Sequence, residues 1–171
     1  MKGYVHVYTG NGKGKTTAAF GLALRAAGAG RRVFIAQFVK GREYSEIKAV
    51  EQYLPLVTVK QYGRECFIVN APAPEDRQAA QAGLEELEKI IPSGEYNVIV
   101  LDEACIALHY HLFTVQELIR LISLRAEGTE IVVTGRYAPP ELIHAADLVT
   151  DMKEVKHYYR KGVEARKGIE Y

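Results

Sequence analysis

Thr9-Gly10-Asn11-Gly12-Lys13-Gly14-Lys15-Thr16-Thr17 is the stretch on which the reading of this chain turns. The apolar run Tyr4-Val5-His6-Val7-Tyr8 precedes it, and Ala18-Ala19-Phe20-Gly21-Leu22-Ala23-Leu24 follows. Apolar strand, glycine-rich turn and helix-forming run are the context of a phosphate-binding loop. Glycines let successive backbone N–H groups turn inward as an anion nest. The helix that follows adds its unpaired amides and positive dipole end. Lys15 supplies a point charge for phosphate oxygens, and the Thr16 hydroxyl suits Mg²⁺. Position 9, where the strict pattern G-x-x-x-x-G-K-[ST] has its first small residue, holds Thr9. Gly14-Lys15-Thr16 is intact.

Working outward, 171 residues point to one domain, 1–171, with a core large enough to need no staples. Lys and Arg total 22 against 21 Asp and Glu, so charge gives no case for nucleic acid or a membrane. Cys66 and Cys105 lie far apart and match no metal spacing. That usage fits a reducing compartment, and with no signal peptide or membrane-length apolar run the expected location is cytoplasmic.

Strands are expected near Tyr4–Tyr8, Arg32–Phe38, Leu56–Gln61, Tyr96–Leu101, Thr129–Val133 and Ala146–Met152. Between them helices are expected from Thr16 to Ala27, from a Ser45 cap to Tyr53, and from Pro74 to Ser93-Gly94. Further helices fall over Ala104–Tyr110 and Thr114–Leu124, with a short one from Pro139. Strands alternating with helices imply an α/β fold, a parallel sheet of about six strands with helices on both faces. Ligands in such sheets sit at the carboxyl ends of the strands, where 9–17, 102–103 and 134–136 fall. The segment Tyr62–Pro74 reads as a long loop carrying the apolar cluster Cys66-Phe67-Ile68-Val69, and long loops in compact domains tend to be functional.

An apolar strand ending in Asp102-Glu103 places carboxylates opposite a metal held by Thr16. Asp102, Glu103 or both suit that role, the alternative being a cap on the next helix. Arg136, after Thr134-Gly135, either stabilises developing phosphate charge or pairs with a structural carboxylate. His109 and His111, two apart, diverge on a helix and read as surface or packing residues. The tail from Lys156 to Arg166 reads as a solvated terminal segment.

Taken in order, these motifs resemble the P-loop corrinoid adenosyltransferases. The resemblance rests on Gly10 to Ala19, Gln37-Phe38-Val39-Lys40-Gly41, Leu101-Asp102-Glu103 and Thr134-Gly135-Arg136. It continues through Val155-Lys156-His157, Gly162-Val163 and Gly168-Ile169-Glu170-Tyr171, nearly the whole chain. It implies a P-loop NTPase-like, recombinase-type fold. It also implies transfer of the 5′-deoxyadenosyl group of ATP to Co(I) of a corrinoid, with triphosphate released whole, in adenosylcobalamin biosynthesis or salvage. In the family ATP lies reversed in the loop.

The implied ATP ligands are Gly10, Asn11, Gly12, Lys13, Gly14, Lys15, Thr16, Thr17 and Arg136. The implied metal ligands are Thr16 and Glu103, for Mg²⁺ or Mn²⁺, with Lys15 and Glu103 as catalytic residues. Phe67 and Val69 fall where the family sets aromatics against the lower corrin face. Val69 stands where Trp is common, and Cys105 where Asn or Thr is commoner. The chain opens on its first strand, without the preceding helix of some members, so ATP is expected to be less enclosed. A flavoprotein reductant and a homodimer are implied by the resemblance alone. The alternatives are a P-loop ATPase coupling hydrolysis to conformational change, a small-molecule kinase, and a module that binds without turnover.

Overall fold

The computed structural model describes residues 2–41, 44–64, 68 and 71–171. Six strands form one sheet: β1 (Val5–Thr9), β2 (Val33–Phe38), β3 (Val57–Tyr62), β4 (Val98–Asp102), β5 (Glu130–Thr134) and β6 (Leu148–Asp151). All pairings are parallel, in the order β3-β2-β4-β5-β1-β6. Parallel neighbours need crossovers, and helices supply them. These are α1 (Lys15–Gly28), α2 (Ser45–Tyr53), α3 (Pro74–Ile90), α4 (Ala104–His109), α5 (Val115–Ser123) and α6 (Pro140–Ala145). The fold is α/β and P-loop NTPase-like. Element bounds match the sequence expectation or differ from it by one or two residues, except that α3 ends at Ile90 and a 3₁₀ turn, Ile91–Ser93, completes the expected helix.

Alternation along the buried strands divides the core in two. Val33, Ile35, Val98, Val100 and Val132 face Ala19, Ala23 and Ala26 of α1 and Val50 of α2. Phe34, Phe38, Ile99, Leu101, Ile131 and Val133 face the other way, toward Ala80, Leu84 and Leu87 of α3 and Leu118 and Leu121 of α5. The small alanine face of α1 lets that helix lie close to the sheet. On the opposite side Gly83 does the same for α3: an added Cβ would stand 2.7 Å from the Tyr62 ring.

The caps follow local chemistry. Asp76 accepts from the Ala73 N–H at 2.8 Å, fixing the first turn of α3. Thr114 and Glu117 form a reciprocal capping box on α5. Ser45 departs from expectation. The cap position of α2 is Tyr44, and the Ser45 hydroxyl donates to the Tyr171 carbonyl at 3.0 Å. A contact 126 residues away thus competes for a hydroxyl that local pattern assigned to the helix. Among the described residues, no helix is long and apolar enough to cross a membrane.

Candidate active site

The carboxyl ends of β1, β2, β4 and β5 meet at one site, and its centre is Asp102. This carboxylate is fully buried. Among the described residues, four side chains donate to it: Thr16 (2.9 Å) and Thr134 (2.7 Å) to Oδ1, Lys40 (2.9 Å) and Gln37 (3.1 Å) to Oδ2. The parallel register builds part of this set, because Gln37 pairs with Asp102 across β2 and β4 and Gln61 with Gln37 across β3 and β2. Gln61 Nε2 in turn donates to Gln37 Oε1 at 3.0 Å. Burial opposes the Asp102 charge, but the Lys40 ammonium and the Thr134 and Thr16 hydroxyls outweigh it. Its pKa is held below the usual carboxylate value.

Glu103 follows in a left-handed conformation, φ 58°, at the cap position of α4. Its side chain makes no cap hydrogen bond, and its N–H donates to Thr134 Oγ1 at 3.0 Å. The carboxylate lines the cavity, where burial first and the Asp102 charge second raise its pKa. Neither acidic residue therefore serves as a simple helix cap. Non-glycine residues held in left-handed backbone are costly and gather at functional sites.

In the loop, Gly10 and Gly12 answer a steric demand, and Gly10, at φ 96°, a conformational one as well. An added Cβ at Gly10 would stand 2.3 Å from Asp151 Oδ1, and one at Gly12 2.6 Å from the Met152 carbonyl. The Gly12 N–H donates to that carbonyl at 2.6 Å, so it is directed at the segment after β6. Lys15 Nζ donates to the carbonyls of Gly10 and Gly12, both at 2.7 Å. Burial and then Arg136 lower its pKa. Arg136 Nη2 reaches the Asn11 carbonyl at 3.4 Å. Among the described residues it has no carboxylate partner, so the structural ion-pair reading of Arg136 gains no support. Gly135 (φ 134°) permits the turn that carries it: an added Cβ would stand 2.8 Å from Cys105 Cβ. Cys105 is buried there, and burial pushes its thiol up to about 12.

Lys13 points elsewhere. Its ammonium donates to the Ile169 carbonyl (2.7 Å), Glu170 Oε1 (2.8 Å) and the Tyr158 hydroxyl (3.3 Å). The tail expected to be solvated, Lys156 to Arg166, is largely exposed, but Tyr158 and the residues beyond that span, Ile169 and Glu170, lie against the loop. His157, Ala165 and 168–171 form one wall of a cavity of about 820 Å³. Gly12 to Thr17, Phe20, Lys40, Glu103 and Arg136 line the rest. Sequence reasoning counted the Gln-Phe-Val-Lys-Gly run and the Gly-Ile-Glu-Tyr end among the family-like motifs but did not place Gln37, Lys40 or the tail in the site. Phe67 and Val69 lie outside the described residues, next to Ile68, whose carbonyl accepts from the Tyr110 hydroxyl at 3.3 Å. His109 and His111 form no metal cluster among the described residues. His109 stacks on Tyr137 with centroids 4.4 Å apart.

The donors gathered at the strand ends, a hydroxyl and carboxylates, are hard oxygen ligands of the kind Mg²⁺ takes. With Lys15, Lys40 and Arg136 on the same cavity, the site suits a polyphosphate carrying a divalent cation.

Comparison with known proteins agrees with this chemistry. The family described as ATP:corrinoid adenosyltransferase BtuR/CobO/CobP matches residues 1–171. The chain is 34% identical over 174 residues to the corrinoid adenosyltransferase of Pseudomonas aeruginosa, an alignment covering 99% of this chain and 84% of that protein. It is 33% identical over 171 residues to the corrinoid adenosyltransferase CobA of Salmonella typhimurium, covering 99% of this chain and 86% of the other. The corrinoid adenosyltransferase of Escherichia coli K12 is 31% identical over the same shares. A phosphate-loop fold, a cation-lined cavity at its strand ends and a match running from the first residue to the last place this chain in the ATP:corrinoid adenosyltransferase family.

Proposed function

We propose that this chain binds ATP in the cavity over the loop and transfers its 5′-deoxyadenosyl group to Co(I) of a corrinoid, in adenosylcobalamin biosynthesis or salvage. The observation that carries the reading is the meeting of Lys15, Arg136 and Glu103 on one cavity, in a chain whose family acts on ATP and corrinoids. The cobalt lone pair forms the new bond to the ribose 5′ carbon. The C–O bond to the triphosphate breaks, and its electron pair leaves with the triphosphate. The substrate supplies the nucleophile, so the protein needs neither an activated side chain nor a water-positioning base. Its work is alignment and stabilisation of the leaving charge.

Lys15 and Arg136 are the cations for that charge, with the loop amides other than that of Gly12, which donates to Met152, and the α1 N-terminus behind them. The carbonyls that Lys15 holds are weaker partners than phosphate oxygens, so the ammonium is free to exchange them. The metal ligands of this reading are Thr16 and Glu103. The Thr16 hydroxyl donates a hydrogen bond to Asp102 and so turns oxygen lone pairs outward, while Glu103 faces the cavity. Asp102 is fully buried behind Thr16 and acts through it. Mg²⁺, or Mn²⁺ in its place, would neutralise phosphate charge at this point. Phe67 and Val69 belong to the corrinoid side of the site in this reading. A homodimer, a flavoprotein reductant and a cytoplasmic location complete it as family expectations. The relatives lend no support to the hydrolase alternative.

The test is the phosphate product. The chain is incubated with ATP, Mg²⁺ and chemically reduced Co(I) corrinoid, and the phosphates are separated while the corrinoid spectrum is recorded. Intact triphosphate with a light-sensitive alkylcobalt product is expected. Orthophosphate released with or without corrinoid would instead make the site a hydrolase.

A further inference from the structure

The Lys40 ammonium stands where the oxygens of the metal-binding set converge. Its Nζ lies 2.9 Å from Asp102 Oδ2, 3.3 Å from Thr16 Oγ1 and 3.9 Å from Glu103 Oε1. The chain is built to hold it there. Val39 has φ 61°, and a β-branched residue in left-handed backbone is an outlier that surrounding structure must enforce. Two tight backbone crossings enforce it. A Cβ added at Gly63 would stand 2.5 Å from the Lys40 backbone nitrogen, and one at Gly41 2.4 Å from the Arg64 carbonyl carbon. With its backbone clamped in this way, Lys40 leaves the end of β2 with its side chain directed to the end of β4.

We propose that Lys40 is an internal competitor for the divalent cation, so that the metal enters this site with the triphosphate and not before it. The inference rests on the reading of Thr16 and Glu103 as metal ligands. An ammonium and a divalent ion a few ångströms apart in a half-buried site repel strongly, and here both claim the same oxygens. The triphosphate resolves the conflict. Lys40 lines the cavity together with Lys15 and Arg136, so phosphate oxygens can draw its ammonium off the carboxylates without its leaving the site. The same residue then neutralises the leaving group. Lys40 offsets part of the Asp102 and Glu103 charge until the metal arrives, and the triphosphate becomes its partner afterwards.

Mn²⁺ serves as the probe, followed by electron paramagnetic resonance on the full chain, with folding of each variant checked by thermal unfolding. Without nucleotide, wild type is expected to leave Mn²⁺ largely free, and Lys40→Met to bind it about tenfold more tightly or better. Glu103→Gln added to that variant should weaken Mn²⁺ again. Equal Mn²⁺ affinity in wild type and Lys40→Met, with Glu103→Gln still weakening both, overturns the proposal and leaves the metal-ligand reading standing. Indifference of Mn²⁺ to both substitutions overturns the ligand reading and the proposal with it. A readout on the wild-type chain alone covers the case in which Lys40→Met does not fold. Mn²⁺ bound as tightly without ATP as with it overturns the proposal there too.

Discussion

Thr16 and Lys13 belong to the same loop, yet they are tied to two very different regions. Thr16 donates to Asp102, which is fully buried and engaged by four side chains from β2, β5, the loop and Lys40. Lys13 donates to Glu170 of the tail, an ion pair open to solvent and joined by Tyr158 and Arg166. In the first region low dielectric makes every partner matter, because whatever loses its partner stays buried. In the second, water replaces whatever is removed. One cavity therefore has a rigid floor and an exchangeable wall. A rigid floor suits alignment of a leaving group, and an exchangeable wall suits entry of a bulky substrate.

The sharpest break in this comparison is Asp102→Ala. It leaves the fully buried Gln37 and Thr134 without their carboxylate and the Lys40 ammonium at the cavity edge without its nearest partner, and we expect a loss of about 3 kcal/mol in a urea unfolding curve. A loss below about 1 kcal/mol would put the network on the same footing as a surface pair. Lys15→Ala comes next and separates chemistry from stability. Turnover should fall about 100-fold at saturating ATP as the triphosphate loses its nearest cation, while the unfolding midpoint moves little. Near-normal turnover would remove Lys15 from the site.

Glu170→Gln tests the exchangeable wall. ATP affinity is expected to fall a few-fold, with the unfolding midpoint unchanged, and raised salt should reproduce the effect in wild type. A wild-type affinity indifferent to salt would count against a wall held by that ion pair. Hydrogen bonds from Lys13, then Tyr158 and Arg166, hold the Glu170 carboxyl well below the usual carboxylate range. Its contribution is accordingly full above that range and is lost only as pH falls through the lowered value. The smallest effect is expected at Cys105, buried beneath Gly135 with its thiol pushed up to about 12. In a Cys66→Ser variant it should resist iodoacetamide at pH about 8 until the chain unfolds. Rapid labelling under native conditions would show that the floor opens.

The two regions also differ in how far the sequence discloses them. Local pattern carried the strand–loop–helix around Lys15, the acidic pair at the end of β4 and the Thr-Gly-Arg turn after β5. Each is written in neighbouring residues: apolar runs, glycines where the chain must turn, carboxylates just past a buried strand. What Ser45 does was misjudged from the same kind of signal, because its partner, the Tyr171 carbonyl, is set by the returning tail. The tail itself is mostly polar and aperiodic, which in sequence looks like solvated chain. Its long-range partners are Lys13 and Ser45, each more than 120 residues earlier.

By itself, then, the sequence determined the alternation of strands and helices, the phosphate loop and the residue types able to meet ATP and a divalent cation. Those depend on backbone propensity and hydrophobic period, which act over a few residues. Only the tertiary structure decided the strand order β3-β2-β4-β5-β1-β6 and the register that sets Gln61, Gln37 and Asp102 in one row. It alone decided that Asp102 is spent on Thr16 and Lys40 while Glu103 faces the cavity. Adjacent carboxylates look alike in a sequence. They are told apart by burial and by donors arriving from other strands, and those are long-range facts of packing.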